Sequence, residues 1–242
     1  MKICVAQTRP IKGYIQTNIS NHKKIIDLAV FNGADTVIFP ELSITGYEPE
    51  LSKELATNQD DSRFDDFQMI ADTKQITIGV GVPTKNNAGI CISMIIFQPN
   101  KARQTYSKQY LHPDEEEFFI SAQGHTGLIG KNSNIALAVC YELSVPEHSE
   151  NAFKSGAEFY IASVAKSVKQ VDKAIERLSG IATQYSMTVL MSNFVGQSGG
   201  MECGGRTSIW NNKGLLVGEL DDTNEGVIII DTETQELIKK TI

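Results

Sequence analysis

The sequence predicts a mixed α/β fold in which outer helices cover two packed β-sheets, an α-β-β-α four-layer sandwich. Strand and helix signals alternate over residues 3–39 and again over residues 135–162, as strand–helix–strand units require. Between these units, short apolar runs are separated by turn-rich clusters that are typical of antiparallel hairpins. The chain has 242 residues and no low-complexity linker, so we predict a single domain over residues 1–242.

The first strand–helix–strand unit is predicted from hydrophobic spacing. Ile3–Gln7 is a short apolar strand, and apolar residues then recur at helical spacing from Ile15 until Gly33. Thr36–Phe39 is a continuous apolar run, which is typical of a strand covered on both faces. Glu41 follows this run directly after a proline. We therefore expect a carboxylate at the end of a buried strand.

The middle of the chain predicts one helix and three antiparallel strands. Ser62 is the expected N-cap of a helix whose apolar face includes Phe64 and Phe67. The period then falls to that of strands, which we place at Ile76–Val82, Ile90–Phe97 and Gln104–Ser107. Because these hairpins adjoin the parallel units, the sheet must contain both strand orientations.

The second half contains a further strand–helix–strand unit. A strand over Ile135–Val139 precedes a helix from about Pro146 to Ser155, for which Ser144 and Glu147 have the spacing of a capping box. The remaining predicted elements are a strand over Glu158–Ala162, a helix over Val171–Tyr185 and strands over Thr188–Asn193, Thr207–Trp210, Leu215–Leu220 and Val227–Asp231.

Charge and composition exclude several classes of function. The chain carries 29 acidic against 22 basic residues, a net charge of -7, and its basic residues are scattered, so we expect no nucleic-acid partner. The apolar runs are far too short to span a bilayer, and the first residues lack the pattern of a signal peptide. Cysteines and histidines are dispersed, without the spacing of a disulfide framework or a metal site. We expect a cytoplasmic protein that binds neither metal nor membrane.

Cys140 is the strongest candidate nucleophile. It follows an apolar strand and precedes a helix, the arrangement of a nucleophile elbow, in which a helix N-terminus lowers the pKa of the thiol and offers N–H groups to an oxyanion. The alternative is that Cys140 is a small buried hydrophobic residue. Cys4 and Cys91 fall inside apolar strands and are expected in the core. Cys203 lies in a glycine-rich segment predicted to be a flexible loop, and is the second candidate.

Two charged residues also follow predicted strands. Glu41 and Cys140 meet if their strands are parallel neighbours at one sheet edge, and burial would raise the pKa of Glu41 toward that of a general base. Lys108 follows a short strand and precedes an acidic run at 114–117. The alternative is that Glu41 and Lys108 are ordinary surface residues, because Glu and Lys are mostly solvated. The flanking Phe118 and Phe119 indicate that one carboxylate of the run points inward.

Taken in order, these segments resemble the nitrilase (carbon–nitrogen hydrolase) superfamily over nearly the whole chain. Any one segment is a weak signal, whereas the ordered set is specific. The matching segments are Phe39-Pro40-Glu41-Leu42 with Thr45-Gly46-Tyr47, Tyr106-Ser107-Lys108, Val139-Cys140-Tyr141-Glu142 with Pro146-Glu147, Gly156-Ala157-Glu158, Asn193 with Gly196, and Gly205-Arg206-Thr207-Ser208.

The resemblance implies covalent amide hydrolysis without a cofactor. Glu41 would take the thiol proton of Cys140, which attacks the amide carbonyl, while Lys108 and the backbone N–H of Tyr141 hold the oxyanion. The second glutamate of the family would be Glu115, with Glu116 and Glu117 as alternates. Members of the family tend to form dimers, so a homodimer is expected.

The resemblance leaves the substrate open. The expected partner is a small carboxamide or N-carbamoyl compound. Tyr47, Glu142 and Ser163 follow the same strand ends and are predicted to line the pocket. Where the family commonly has an arginine this chain has Ser144, so binding of an anionic group through that arginine is not expected. The acidic Glu142 and the acidic surface favour cationic or neutral amides.

Two alternatives to hydrolysis remain open at this point. The first is acyl transfer from the same Cys140 thioester to an amine. The second is a non-catalytic protein that keeps the fold as a binding partner. Intact residues in all three chemical roles argue against the second alternative.

Overall fold

The computed structural model describes residues 1–122 and 127–242. His125, one of the dispersed histidines, lies outside the described residues. A seven-stranded and a five-stranded β-sheet pack face to face, and helices cover both outer faces. Within the described ranges, no helix combines the length and hydrophobicity needed to cross a membrane.

The helices and strands have the following bounds. The strands are β1 Lys2–Gln7, β2 Thr36–Ile38, β3 Thr77–Lys85, β4 Ile90–Phe97, β5 Gln104–Ser107, β6 Ile135–Val139, β7 Phe159–Ser163, β8 Thr188–Ser192, β9 Val195–Ser198, β10 Met201–Gly204, β11 Ser208–Trp210, β12 Leu216–Glu219, β13 Gly226–Asp231 and β14 Leu237–Thr241. The α-helices are α1 Ile15–Phe31, α2 Ser52–Leu55, α3 Asp65–Lys74, α4 Pro146–Lys154 and α5 Val171–Tyr185. Short 3₁₀ turns span Pro49–Leu51, Ser62–Phe64, Pro113–Glu115 and Cys140–Ser144.

Both sheets combine parallel and antiparallel strands. The seven-stranded sheet has the order β14-β13-β1-β2-β3-β4-β5, with β1, β2 and β3 parallel and the other neighbours antiparallel. The five-stranded sheet has the order β12-β11-β8-β7-β6, with β6, β7 and β8 parallel. The mixed sheet, the two strand–helix–strand units and the hairpins predicted from the sequence are therefore confirmed.

The side chains of β1 show how the layers form. Ile3 and Val5 belong to the core between the two sheets, whereas Cys4 and Ala6 point to the opposite face and pack with residues of α1 and α3. This period of two is what a strand buried on both faces requires. Helices α4 and α5 cover the other sheet, where Leu178 and other α5 residues join the core. The four-layer α-β-β-α sandwich is confirmed.

Two serine hydroxyls join the sheets where parallel strands end. Ser163, at the end of β7, donates a hydrogen bond to the Phe39 carbonyl oxygen at 2.8 Å, and Ser192, at the end of β8, donates to the Ala6 carbonyl oxygen at 2.6 Å. All four residues are fully buried, so no water competes for these bonds. The two bonds fix the strand ends of one sheet against those of the other.

The glycine-rich segment near Cys203 differs from the prediction of a flexible loop. It is an antiparallel hairpin of β9 and β10, in which Cys203 is buried. Gly199 and Gly200 both have positive φ angles, 58° and 70°, as a tight two-residue hairpin turn requires. The turn signal was present in the sequence, and its flanking strands are too polar to show the usual apolar pattern. Strand β14 was also missed, because most of its side chains are exposed.

Both predicted side-chain caps are wrong, although the helix positions are close. Asp61 accepts the Arg63 N–H ahead of the turn that leads into α3, so Ser62 is not the cap. No side chain caps α4, whose N-cap residue is Val145. Ser144 instead ends the 3₁₀ turn Cys140–Ser144, and Pro146 supplies the first helical position.

Gly81 in β3 lies against the loop that carries Glu41. A Cβ atom at Gly81 would come less than 3.0 Å from backbone atoms of Pro40, Glu41 and Leu42. The Gly81 carbonyl oxygen also accepts the Ile44 N–H at 2.9 Å. The close approach of two backbones therefore requires glycine at this position.

We predict that Gly81→Ala lowers the free energy of unfolding by about 1–3 kcal/mol, because neither backbone can move aside without breaking its hydrogen bonds. Gly180→Ala is the matched control, since a Cβ there meets nothing within 4 Å and Gly180 lies in helix α5. It should stabilise the protein by about 0.5–1 kcal/mol. Urea denaturation measures both, and equal effects of the two substitutions would contradict the prediction.

Candidate active site

Three chemically active side chains lie just beyond the ends of three strands. Glu41 follows β2, Lys108 follows β5 and Cys140 follows β6. They are 1%, 0% and 8% exposed. In the parallel pairing of β6 with β7, Val139 lies opposite Ser163, whose hydroxyl is bonded to Phe39. This bond brings the end of β6, and so Cys140, close to the end of β2 and Glu41.

The Lys108 ammonium group lies between two carboxylates. Lys108 Nζ donates to Glu41 Oε1 and to Glu115 Oε1, both at 2.8 Å, and all three side chains are buried. An isolated buried charge is costly, whereas a paired and hydrogen-bonded charge is tolerated. The two carboxylates therefore hold the ammonium group in place.

Glu115 is the inward carboxylate of the acidic run. Its Oε1 also accepts the Tyr47 hydroxyl at 2.9 Å, and its Oε2 accepts the His112 backbone N–H at 2.8 Å. Glu116 and Glu117 are exposed. The geometry thus places Glu115, and not the two alternates, beside Lys108.

Cys140 begins the 3₁₀ turn with an unusual backbone conformation. Its φ angle is +46°, in the left-handed region that residues with a Cβ adopt at a cost of about 1–3 kcal/mol. Such strain is typical of a sharp strand-to-helix turn that presents a nucleophile. The elbow predicted from the sequence is present, although the first helical turn is 3₁₀ and α4 begins only at Pro146.

The pKa of the Cys140 thiol is raised, whereas the sequence had suggested that a helix N-terminus would lower it. Burial is the main cause, and the negative charge of Glu41 adds to it. The positive charges of Lys166 and Lys108 act in the opposite direction without outweighing burial. The resting sulfur is therefore a thiol, and its attack on a substrate requires a base.

Glu41 has the properties of that base. Burial raises the pKa of its carboxyl group, and the charge of Glu115 raises it further, while Lys108 and Lys166 lower it. Its Oε2 atom is buried and accepts no hydrogen bond within residues 1–122 and 127–242. Burial would lower the pKa of Lys108, but the charges of Glu41, Cys140 and Glu115 raise it overall. The charges around Lys108 therefore keep its ammonium group protonated beside Glu41 and Cys140.

Lys166 is a charged residue near this group that the sequence analysis missed. It lies three residues beyond β7, the parallel neighbour of the strand that ends at Cys140, and it is half-buried. Its charge acts on the pKa of both Cys140 and Glu41. A lysine soon after an apolar strand was the available signal. It was overlooked because lone lysines are usually solvated.

Two residues predicted to line the pocket have other roles. The Glu142 carboxylate is fully buried and accepts from Tyr106 Oη at 2.5 Å and from the backbone N–H groups of Gln109 and Val139 at 2.6 and 2.7 Å. It joins the Lys108 loop to the nucleophile turn, so the prediction that it faces substrate is wrong. Ser163 is likewise not a pocket residue, because its hydroxyl joins the two sheets.

Tyr47 lies at the wall of a cleft of about 560 Å³, and its role toward substrate stays a prediction. Through its hydroxyl it contacts Glu115, so it separates the cleft from the buried charged group. Tyr141, half-buried after Cys140, packs edge-on against His112 at a ring distance of 5.2 Å. The other cleft residues are Lys12, Glu48, Pro49, Glu50, Asp114, Phe118, Gly199, Gly200 and Met201.

Comparison with known proteins identifies the family. The model of the carbon-nitrogen hydrolase family matches residues 2–239. The chain belongs to this family. It is therefore an enzyme of the carbon–nitrogen hydrolase class, and the resemblance stated from the sequence motifs is confirmed.

This hydrolase is similar to proteins from two other sources. It is 28% identical over 214 residues to a hydrolase in the agr operon of Staphylococcus aureus, covering 84% of this chain and 80% of that protein. Two structures of an amidase from Nesterenkonia sp. AN1 share its fold at 21% identity. One carries the acetamide moiety of fluoroacetamide on the active-site cysteine, with a TM-score of 0.86 over 96% of this chain and 90% of that one. The other, an alanine variant in complex with butyramide, has a TM-score of 0.87 over 97% of this chain and 92% of that one.

His22 of this hydrolase supports the loop that follows Glu41. Its ring stacks on Phe39 at 4.1 Å, Nδ1 contacts the Asn18 carbonyl oxygen at 2.7 Å and Nε2 contacts Ser43 Oγ at 2.9 Å. Burial lowers the pKa of His22 to about 4. The imidazole is therefore neutral in the folded protein at pH values where an exposed histidine is charged.

We predict that His22 makes folding stability pH-dependent between about pH 6.5 and 4, because its folded pKa lies below its unfolded value of about 6.5. Stability from this residue is complete above the upper value and is lost as the pH falls. In this window the unfolding free energy should fall more steeply in the wild type than in His22→Asn, by up to about 1.4 kcal/mol per pH unit. His112→Asn, at an exposed histidine, is the control. Parallel curves for the wild type and His22→Asn would contradict the prediction.

Proposed function

We propose that this hydrolase is a thiol-dependent amidase that converts a small carboxamide or N-carbamoyl compound to a carboxylate and ammonia or an amine. The proposal is carried by the buried, hydrogen-bonded side chains of Glu41, Lys108 and Glu115 and by the strained backbone of Cys140. The three side chains supply a base, a fixed cation and a carboxylate that holds the cation, and Cys140 supplies a nucleophile at a strand end. These are the groups that acyl transfer through a thioester requires.

In the first half of the reaction, Glu41 Oε2 accepts the thiol proton and Cys140 Sγ attacks the substrate carbonyl carbon. The Lys108 ammonium group and the Tyr141 backbone N–H stabilise the negative oxygen of the tetrahedral intermediate. The C–N bond then breaks, and Glu41 gives its proton to the departing amine. The raised pKa of Glu41 makes its carboxylate a stronger base than in water, which favours the initial transfer, whereas the raised pKa of Cys140 opposes it.

In the second half, Glu41 takes a proton from a water molecule, which attacks the thioester carbonyl carbon. Lys108 stabilises the second oxyanion in the same position. The C–S bond breaks, the proton on Glu41 returns to the sulfur, and the carboxylic acid product leaves and loses its remaining proton to solvent as the carboxylate. Lys108 keeps its charge throughout, since both neighbouring carboxylates and the thiol site raise its pKa.

The structural neighbours support this assignment. The amidase from Nesterenkonia sp. AN1 has been captured with an acetamide moiety on its active-site cysteine and, as an alanine variant, with butyramide. We infer by analogy that Cys140 is the acylated residue here and that short aliphatic amides fit the site. We also propose that residues 1–242 form one hydrolase domain, and that the protein acts in the cytoplasm as a homodimer.

The first prediction concerns the nucleophile. Cys140→Ala should lower amide hydrolysis by a factor on the order of 10⁴ or more, because the covalent route is lost. Ammonia release across aliphatic amides, ω-amides, amino-acid amides and N-carbamoyl compounds measures the loss. Cys203→Ala is the matched control, since Cys203 is also buried but lies within the antiparallel β9–β10 hairpin.

Intact-mass analysis then tests the thioester itself. An acyl adduct on the wild type that is absent from Cys140→Ala supports the mechanism. Full activity in Cys140→Ala, or an adduct on Cys203, would overturn it. If a thioester forms and only added amines release it, the enzyme is an acyltransferase, and the hydrolytic part of the proposal fails.

The second prediction separates the three neighbouring glutamates. Glu115→Gln should lower kcat by about 10²-fold, because a neutral amide no longer holds the Lys108 ammonium group and a small displacement of a catalytic group is this costly. Glu116→Gln and Glu117→Gln, at exposed positions in the same run, are the controls. Steady-state kinetics on one amide compares all three, and equal losses would show that Glu115 has no special role.

A further inference from the structure

Lys166 is held in place by its backbone. Its N–H donates to Asn193 Oδ1 at 2.8 Å, and its carbonyl oxygen accepts from Asn193 Nδ2 at 3.2 Å and from the Gly204 N–H at 2.8 Å. Asn193 is fully buried and also donates to the Gly205 carbonyl oxygen. The segment that carries Lys166 is therefore fixed relative to β8 and β10, so the backbone position of Lys166 is defined.

The β9–β10 hairpin connects Lys166 with the cleft. On one side, Val168 N–H donates to the Glu202 carbonyl oxygen at 3.0 Å. On the other side, Ser198 Oγ accepts the Tyr47 N–H at 2.8 Å. Ala165, next to Lys166, shares a small apolar cluster with Cys203 and Tyr47. Lys166 thus directly follows Ala165, which packs with Tyr47 at the wall of the cleft.

Lys166 differs from Lys108 in its partners. Lys108 is bonded to two carboxylates, whereas no salt bridge of Lys166 occurs in the two described ranges. Its charge nevertheless acts on Cys140 more strongly than that of Lys108 does, and it also acts on Glu41. Lys166 follows β7 by three residues, and the end of β7 pairs with the end of β6, directly ahead of Cys140. The structure therefore holds a second lysine on the segment beside the nucleophile turn, with no carboxylate of the described chain bound to it.

We propose that Lys166 is a specificity-determining residue that binds a carboxylate of the substrate, so that the preferred substrates are small amides or carbamoyl compounds carrying a carboxylate. The proposal rests on the proposed amidase function of the same site. A charged hydrogen bond in a half-buried position contributes more than a neutral one, and a flexible lysine side chain adapts to carboxylates at different distances. A preference for substrates that carry a carboxylate is the opposite of the sequence-based expectation of cationic or neutral amides.

The acidic residues of the cleft favour a cationic substrate less than Lys166 favours an anionic one. Glu48 is paired with Lys12 at 2.9 Å, and Asp114 contacts His112. Glu50 and Asp114 are exposed, where water and salt screen their charges. Lys166 follows the strand that pairs with the strand leading into Cys140, and its half-buried position weakens such screening.

Matched substrates test the proposal. Succinamate carries a carboxylate where butyramide has a methyl group and 3-aminopropanamide has an ammonium group. In the wild type, kcat/KM for succinamate should exceed that for butyramide by about tenfold or more, as one charge-assisted hydrogen bond allows. Lys166→Met should remove most of this ratio, and Lys166→Arg should retain part of it. Lys169→Met, at an exposed lysine three residues away, should keep the full ratio.

Three results would overturn the assignment of Lys166. The first is a wild type that shows no preference for succinamate. The second is a preference for 3-aminopropanamide. The third is a Lys166→Met variant that loses activity equally on succinamate and butyramide with a shifted pH profile, since Lys166 would then serve only the charge balance of Cys140 and Glu41.

Failure of the amidase function is distinguishable from these results. It would appear as no turnover of any compound and no adduct on Cys140. In that case, ligand-detected NMR with Cys140→Ala and with Cys140→Ala/Lys166→Met still decides the role of Lys166. Stronger binding of succinamate than butyramide, lost in the double variant, supports the proposal. Equal binding of the two compounds, or binding of neither, overturns it.

Discussion

The site depends on a buried ammonium group that needs two carboxylates. Lys108 is inaccessible to solvent, so its charge is tolerated only because Glu41 and Glu115 bind it within 2.8 Å. These two ion pairs hold the end of β2, the end of β5 and the acidic run close to one another. The same charge limits how far burial raises the pKa of Glu41. One ion pair network thus sets both the position of the Glu41 carboxylate and its pKa.

The two sheets turn residues that are far apart in sequence into one site. Parallel strands place their polar following residues at one edge, and the Ser163 and Ser192 hydroxyls fix the two edges against each other. Gly81 lets the Glu41 loop cross β3 at backbone contact, and Glu142 joins the loop after Lys108 to the turn at Cys140. Rigid elements therefore support every reacting group, as preorganised catalysis requires.

The sequence allowed much of this arrangement to be predicted. Apolar runs located β2 and β6, and hence the positions of Glu41 and Cys140, because hydrophobic periodicity depends only on local residues. The contacts of the Glu142, Ser163 and Lys166 side chains could not be predicted in the same way. Whether a carboxylate, hydroxyl or ammonium group at a strand end faces a ligand or another backbone depends on contacts between distant segments. The β9–β10 hairpin was missed because its strands carry exposed polar residues and glycines and so lack an apolar pattern.

The raised pKa of Cys140 also bears on how the enzyme withstands oxidants. Peroxides attack thiolates much faster than thiols, and the resting sulfur here is a nearly buried thiol. Burial likewise raises the pKa values of Cys4, Cys91 and Cys203. In the proposed mechanism, nucleophilic sulfur arises only when Glu41 has taken its proton. A cysteine at rest in the thiol form is one that peroxides oxidise slowly.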